Sequence, residues 1–161
     1  MTAGAPAGSI LQHASVVEID GRGVLIRGPS GAGKTALAIE LLFRCRASEI
    51  ASALVADDQA FLSADDDTGA LLATVPGTIA GLIELRGFGA APVAASRCKA
   101  ETRLALCVTL VPAEDSERVA DPDRRARLHT VELPELVLPC RQPVCGAYAV
   151  LGWLGLSRRL L

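Results

Sequence analysis

Asparagine is absent from this sequence, and only two of its 16 basic residues are lysines. The first absence excludes the Asn-Lys-x-Asp element with which ordinary GTPases recognise guanine. The second makes the position of each lysine informative, because the planar guanidinium of arginine and the compact ammonium of lysine are not interchangeable. Lys34 follows a glycine-rich segment, where a slim point charge suits the site better than a planar fork.

Long apolar runs and a strong excess of either charge are also missing. No uncharged stretch reaches the roughly 20 predominantly apolar residues that a membrane helix needs, and the formal net charge is −2. This composition predicts neither a nucleic-acid nor a membrane partner. The first residues lack the basic start of a secretory signal, and the five cysteines match no zinc spacing and no disulfide framework. We therefore predict a cytoplasmic protein with reduced cysteines in the core or at its edge.

The length of 161 residues is that of one ordinary domain, and a hydrophobic content of 50% excludes a disordered chain. Residues 1–9 are rich in Ala, Gly and Pro and are predicted to form a flexible tail. Residues 10–161 are predicted to form the domain.

The segment RGPSGAGKT, residues 27–35, carries the pattern Gly-x-x-x-x-Gly-Lys-Ser/Thr. Glycines let many backbone N–H groups point at one anion, and the helix that follows directs the positive end of its dipole there. Lys34 would contact the β- and γ-phosphates of a nucleotide, and the Thr35 hydroxyl would bind Mg²⁺. The predicted phosphate-binding residues are Gly28, Pro29, Ser30, Gly31, Ala32, Gly33, Lys34 and Thr35.

The sequence around this loop predicts a strand before it and a helix after it. Two apolar runs flank Asp20-Gly21, a dipeptide that favours a tight hairpin turn. The strand that enters the loop is therefore expected to pair antiparallel with the strand before it. The helix is expected over residues 34–45, where apolar residues recur at helical spacing.

Further elements are predicted downstream. The segments predicted as strands are ALVADDQAFL, residues 82–85, LALCVTLVP and LPELVLPC. The apolar run of the first segment ends in acids, and the last segment has prolines at its ends. In the third of these, alternation places Leu104, Leu106, Val108 and Leu110 on one face. Residues 65–67, three aspartates, are predicted to be a solvated turn and residues 114–127 an exposed loop or short helical turn. Residues 147–161 are predicted as a final helix or a strand followed by a helix.

Acidic residues mark a second part of the site. Asp57 and Asp58 end a predicted strand, where phosphate-loop enzymes commonly present the carboxylate that holds Mg²⁺ or its water. Adjacent acids on a strand point to opposite faces, so at most one faces the metal unless the strand has ended. Glu84 stands between apolar residues, where a buried acid needs a partner, either Arg86 or a cation. His13 precedes the hairpin, and the sequence alone favours a capping or surface role for it.

In this order, His13, DGRGVLIRGPSGAGKT, VADDQ and IELRGFG resemble the catalytic domain of HPr kinase/phosphorylase, the bacterial enzyme that phosphorylates a serine of the phosphocarrier protein HPr. The resemblance covers about residues 10–150 and is nearest to the short alphaproteobacterial form, which lacks the amino-terminal domain. It implies an α/β phosphate-loop kinase domain of the HPr kinase and PEP carboxykinase-like type, with a mixed sheet and a hairpin before the loop.

The resemblance also implies roles for individual residues. Lys34 would contact the phosphates of ATP, and the residues that bind Mg²⁺ would be Thr35, Asp58 and Glu84. The metal and the nucleotide would then share one site.

For the transfer step, the resemblance implies that His13 assists at the active centre. The base that takes the serine proton would be one of the paired aspartates, with Asp57 favoured and Asp58 close behind. Arg118, in the segment SERVADP, corresponds to the active arginine of the family. The catalytic set predicted from the sequence is therefore His13, Lys34, Asp57, Asp58 and Arg118.

The sequence departs from the family pattern in several places. Thr35-Ala36 replaces the usual Ser-Glu, and the segments after Gly89 and Pro139 are shortened. Because those segments serve substrate contact and the reverse reaction, we expect an ATP- and Mg²⁺-dependent protein-serine kinase for HPr with weak or absent phosphorolysis. A homo-oligomer is compatible with this expectation. Two alternatives stay open, a phosphate-loop kinase of small molecules and a regulatory module that binds ATP without transferring it.

Overall fold

Two helices cover one face of a mixed β-sheet in the computed structural model, which describes residues 4–160. Residues 1–3 of the predicted tail, and Leu161 at the end of the predicted last element, lie outside the described residues. The elements are β1 (Ile10–Ile19), β2 (Arg22–Arg27), α1 (Lys34–Ala47), β3 (Ser52–Ala56), β4 (Gln59–Ala64), β5 (Leu71–Thr74), β6 (Leu82–Leu85), β7 (Gly89–Pro92), β8 (Glu101–Val111), β9 (Arg125–Leu128), β10 (Val131–Pro139) and α2 (Pro143–Trp153). Short 3-10 turns cover Gly77–Ile79, Ala95–Arg97, Ala113–Asp115 and Ser157–Arg159.

β1 and β2 form the antiparallel hairpin that the sequence predicts, with Val17 opposite Val24. The turn residues Asp20 and Gly21 have φ of 51° and 75°, and a type I′ turn requires positive φ at both central positions. β2 also pairs in parallel with β8, and β8 pairs in parallel with β10. The carboxyl ends of these three strands therefore lie together, and the glycine-rich loop starts from one of them.

β1 connects the two parts of the sheet. Residues 10–13 pair with β4, whereas the second half of the strand pairs with β2 on one side and β3 on the other. Val16 and Val17 point into different cores by the ordinary alternation of a strand, and opposite them β3 carries a bulge, because Val16 pairs with Ala56 and Val17 with Leu54. One core lies between the sheet and the helices, and the second draws residues from β1, β2, β4, β5 and β8.

The pattern predicted for β8 is wrong at one position. Gly23 of β2 faces Leu104, but its neighbour Val24 faces Leu106, so β8 carries an extra residue between them. Leu104 therefore packs in the second core, while the other three positions of the predicted face pack against the helices. A single bulge reverses the side-chain alternation from that point on.

β10 also differs from its prediction. It starts at Val131, and Pro134 lies inside the strand and not at its end. This proline sits where β10 changes partner from β9 to β8, a place where a missing N–H is tolerated. β9 itself occupies the end of the charged segment that was predicted as a loop.

The remaining predicted elements differ from the structure mainly in their boundaries. α1 continues to Ala47, and α2 begins at Pro143, earlier than predicted, because proline is well suited to the first turn of a helix. The turn at residues 65–67 is confirmed, and Asp65 accepts a hydrogen bond from the Thr68 hydroxyl at 2.7 Å. Among residues 4–160, no helix is long and apolar enough to cross a membrane.

Gly23 gives a test of the close contact between β2 and β8. A Cβ atom on this buried glycine would lie 2.6 Å from the Arg103 carbonyl oxygen, which is backbone and cannot move aside easily. We expect Gly23→Ala to lower the free energy of unfolding by about 1–3 kcal/mol, as overpacked sites do. Urea denaturation measures the change.

Gly152→Ala is the matched control, because nothing lies within 4 Å of a Cβ atom at this position in α2. Alanine stabilises helices relative to glycine, so its stability should be unchanged or raised. Equal stability of the two variants would contradict the packing of β2 against β8.

Candidate active site

The glycine-rich loop joins the end of β2 to the start of α1. Gly31 and Gly33 have φ of 76° and 97°, a conformation that glycine adopts without strain. The Ala32 N–H donates to the Pro29 carbonyl at 3.1 Å and closes the turn. α1 begins at Lys34 directly after the loop, so the unpaired N–H groups of its first turn lie beside the same space.

Lys34 lies beneath this loop and is 7% exposed. Its Nζ donates to the carbonyls of Gly28 and Pro29 at 3.0 and 3.1 Å. No carboxylate within residues 4–160 forms an ion pair with this ammonium group. Because no ion pair neutralises this ammonium group, the loop is suited to an anion.

A cavity of about 740 Å³ opens beside the loop, a size common among small-molecule sites. Its lining residues are His13, Ser30, Gly31, Gly33, Lys34, Thr35, Ala36, Ile39, Asp58, Glu84, Leu85, Arg86 and Arg141. Most residues predicted for the site therefore meet in one space. The predicted site residues that do not line it are Gly28, Pro29, Ala32, Asp57 and Arg118.

Asp57 is buried behind the cavity wall and is 4% exposed. One carboxylate oxygen accepts hydrogen bonds from the hydroxyls of Ser15 and Thr35, at 2.7 and 2.9 Å. The other accepts from the Thr35 hydroxyl at 3.1 Å and from the Glu84 N–H at 2.9 Å. Three separate segments thus satisfy this carboxylate, and the Thr35 hydroxyl is held in a fixed position.

Asp58 faces the cavity, with 52% of its side chain exposed. β3 has already ended at Ala56, and Asp58 has φ of 73°, so the two aspartates do not follow the alternation of a strand. The Nδ1 atom of His13 lies 3.2 Å from the Asp58 carboxylate and 2.9 Å from its backbone carbonyl. The cavity therefore contains an accessible carboxylate paired with an imidazole.

The β6–β7 hairpin brings two further side chains to the cavity. This two-stranded sheet is separate from the main sheet, and the hydrogen bond from the Glu84 N–H ties it to Asp57. Glu84 is exposed to the cavity, so the expectation of a buried acid is wrong. Within residues 4–160 it forms no ion pair with Arg86.

Two arginines in the cavity were not predicted as site residues. Arg141 has φ of 58°, and its N–H donates to the Ala32 carbonyl at 2.9 Å while its Nε donates to Gly31 at 3.1 Å. A Cβ atom on Gly31 would lie about 4 Å from the guanidinium groups of both Arg141 and Arg86. Arg86 lies in the segment IELRGFG and Arg141 directly follows LPELVLPC, but their convergence depends on long-range pairing.

Arg118, in contrast, is exposed in the segment between β8 and β9. The structure gives it no place in the cavity, so its predicted catalytic role stays a prediction. The cationic side chains beside the loop are Lys34, Arg86 and Arg141.

The predicted Mg²⁺ ligands Thr35, Asp58 and Glu84 all line the cavity. Among the described residues, no three His, Cys, Asp or Glu side chains lie close enough together to hold a metal by themselves. Mg²⁺ in phosphate sites commonly uses one or two protein oxygens together with phosphate oxygens and water. The oriented Thr35 hydroxyl and the carboxylates of Asp58 and Glu84 are oxygen ligands of that kind. The donor set therefore fits Mg²⁺ that arrives with phosphates.

A glycine-rich loop at the carboxyl end of a sheet strand, closed by a lysine and followed by a helix with a fixed hydroxyl, defines a phosphate-loop α/β domain. Residues 6–147 match the family described as HPr Serine kinase C-terminal domain. The chain belongs to this family.

Known proteins agree with this assignment. The HPr kinase/phosphorylase of Geobacillus kaustophilus is 32% identical over 136 residues, which cover 80% of this chain and 42% of that protein. The HPr kinase/phosphorylase of Listeria welshimeri is 30% identical over 139 residues, which cover 82% of this chain and 42% of that protein. The chain thus spans about two fifths of the length of these curated relatives.

The solved structure of the Hpr(Ser) kinase/phosphatase from Coxiella burnetii has a TM-score of 0.73 to this chain. The match covers 90% of each chain at 24% sequence identity. The predicted fold class, an α/β phosphate-loop domain with a mixed sheet and a hairpin before the loop, is confirmed.

The two lysines provide a test of the phosphate loop. Lys34→Ala should weaken the binding of ATP with Mg²⁺ by roughly 10- to 100-fold, as expected for the loss of a charge-assisted hydrogen bond. Isothermal titration calorimetry measures the affinity. Lys99→Ala is the control, because Lys99 is exposed and pairs with Glu18 away from the cavity. Equal affinities of the two variants would refute the assignment of the loop.

Proposed function

We propose that this chain transfers the terminal phosphoryl group of ATP, with Mg²⁺, to a serine of an HPr-type phosphocarrier protein in the cytoplasm. The observation that carries the proposal is a single cavity lined by two chemically different groups of residues. Lys34 and Thr35 are its phosphate-binding residues, and Asp58 with His13 supplies an accessible carboxylate. Family membership and the named activity of the relatives support the choice of acceptor.

The geometry supports Asp58 as the base, the reverse of the order favoured from the sequence. A general base must come within hydrogen-bond distance of the proton that it takes. Asp57 is buried and already accepts bonds from Ser15, Thr35 and a backbone N–H, so a serine hydroxyl has no access to it. We therefore assign proton transfer to Asp58 and the positioning of Thr35 to Asp57.

In the proposed reaction the serine hydroxyl gives its proton to the Asp58 carboxylate as its oxygen bonds to the terminal phosphorus. The bond from that phosphorus to the bridging oxygen breaks, and its electron pair leaves with ADP. Lys34 and the N–H groups of the loop offset the negative charge of the transferring group, which is the main protein contribution in phosphoryl transfer. His13 holds the Asp58 side chain towards the cavity.

The metal in this proposal would lie between the loop and the acids. Mg²⁺, when bound, would neutralise charge on the phosphates. Thr35, Asp58 and Glu84 are the residues that would hold it or its waters, and Asp57 keeps the Thr35 hydroxyl oriented. Arg86 and Arg141 add positive charge beside Gly31 of the loop.

We also propose that phosphate-driven removal of the phosphoryl group is weak or absent. That reverse reaction needs a second anion beside the loop and a carboxylic acid that returns a proton to the serine oxygen. Asp58 can serve as the acid, but the segments after Gly89 and Pro139 are shorter than the family pattern. The rate of the reverse reaction should therefore be lowered more than the rate of the forward reaction.

The two aspartates should respond differently to substitution. Asp58→Asn should lower turnover by roughly 10²- to 10⁴-fold, the usual contribution of general base catalysis, and saturating ATP and Mg²⁺ should not restore it. Asp57→Asn should raise the Mg²⁺ concentration needed for half-maximal activity, because Thr35 loses its partner. Steady-state kinetics against ATP and Mg²⁺ separates the effects, with Asp66→Asn in the exposed turn as control. Wild-type turnover of Asp58→Asn would place the base elsewhere.

The acceptor is tested directly. The purified chain, ATP, Mg²⁺ and the HPr-type carrier of the same organism are mixed, and the mass of the carrier is followed. We expect one phosphoryl group on a serine, little loss of it when ATP is replaced by inorganic phosphate, and no labelling of small-molecule acceptors run in parallel. An unmodified carrier would refute the kinase assignment, and rapid loss of the group would refute the proposed direction.

A further inference from the structure

A partly buried cluster of charged and polar groups joins the three parallel strands next to the start of the phosphate loop. Arg27 is the last residue of β2, Thr109 lies near the end of β8, and Glu135 lies in β10. The Arg27 guanidinium donates through Nε to the Thr109 hydroxyl and through a terminal nitrogen to the Glu135 carboxylate, both at 2.9 Å. The Thr109 hydroxyl donates to the same carboxylate oxygen.

Glu135 is the centre of this cluster and is 9% exposed. Burial raises the pKa of its carboxyl, but hydrogen bonds from Thr109 and Arg27 outweigh it and hold the pKa below its usual range. The group is therefore ionised at neutral pH. A buried carboxylate of this kind is costly unless every lone pair is used, so it fixes the relative positions of its donors.

The cluster reaches the phosphate loop through the backbone. Arg27 directly precedes Gly28, whose carbonyl accepts a hydrogen bond from Lys34 at 3.0 Å. Gly28 also packs tightly against β8, since a Cβ atom there would lie 3.0 Å from the Leu110 Cβ and carbonyl oxygen. A shift of β2 relative to β8 would therefore move the carbonyl that holds the loop lysine.

Glu135 also contacts the segment between β8 and β9. Arg124 donates through Nε to the other Glu135 oxygen at 3.2 Å and forms an ion pair with Glu117. The Glu135 N–H donates to the Arg124 carbonyl at 3.1 Å. One carboxylate thus fixes both the strand that enters the phosphate loop and the segment that follows β8, which includes Arg118.

We propose that Glu135 is a positioning residue for nucleotide binding, acting through Arg27 on the phosphate loop. The proposal rests on the proposed function, because it assumes that the loop binds ATP. Glu135 and Arg27 do not line the cavity, so their effect on the ligand is indirect. A buried ion pair adds little net stability compared with apolar residues of the same volume. We therefore attribute the presence of this ion pair between β2 and β10 to its role in aligning the phosphate loop, which follows β2.

The test compares two substitutions in the same strand. Glu135→Gln should weaken the binding of ATP with Mg²⁺ on the order of tenfold, a coupling typical of residues that share a network. Glu132→Gln, at an exposed position of β10, should leave the affinity unchanged. Calorimetric titration gives the affinity, and circular dichroism at the titration temperature shows that each variant is folded.

A double-mutant cycle separates alignment from general destabilisation. If Glu135 acts through Arg27, the variant with both Glu135→Gln and Arg27→Gln should bind ATP no more weakly than the weaker single variant. Additive losses of affinity would overturn the proposal. Should Glu135→Gln not fold, Thr109→Val removes the hydroxyl between Arg27 and Glu135 with little change in volume, and it should give the same direction of change.

The remaining outcomes are distinguishable. A wild-type chain that binds no ATP refutes the proposed function and this inference with it. A wild-type chain that binds ATP, with the same affinity in the folded Glu135→Gln or Thr109→Val variant, refutes the inference alone.

Discussion

The buried carboxylate of Asp57 is the constraint on which the site depends. A carboxyl group with 4% exposure is stable in the interior only if its oxygens are hydrogen-bonded, and the partners of Asp57 come from three distant places in the sequence. The donors to this carboxylate are the Ser15 hydroxyl in β1, the Thr35 hydroxyl at the start of α1, and the Glu84 N–H in the β6–β7 hairpin. The walls of the cavity are these same segments. The carboxylate therefore contributes to function by assembling the cavity, although it does not line it.

Features that depend on local sequence were predictable. The hairpin turn follows from Asp20-Gly21, because few dipeptides accept positive φ at both positions, and the loop follows from Gly31 and Gly33 for the same reason. The start of α1 at Lys34 follows from the end of that loop. The match to the family confirms the fold that these motifs implied.

Features that depend on strand register were not predictable from the sequence. Asp57 and Asp58 are adjacent in sequence, and only the end of β3 at Ala56 and the positive φ of Asp58 send one into the interior and the other into the cavity. The bulge before Leu106 and the meeting of Arg86 with Arg141 have no signal in a single sequence either. Each arises where segments far apart in the chain come together.

The β1–β2 hairpin has a consequence for how such a chain can change. His13 lies within β1, directly before Ala14, which pairs with Arg27 at the start of the phosphate loop. One inserted residue in either strand would turn the side chains beyond it to the other face of the sheet and carry the imidazole away from Asp58. Insertions and deletions should therefore be tolerated better in other connections, such as the segment between β8 and β9. Lineages can lengthen or shorten those connections while the spacing between histidine and loop stays the same.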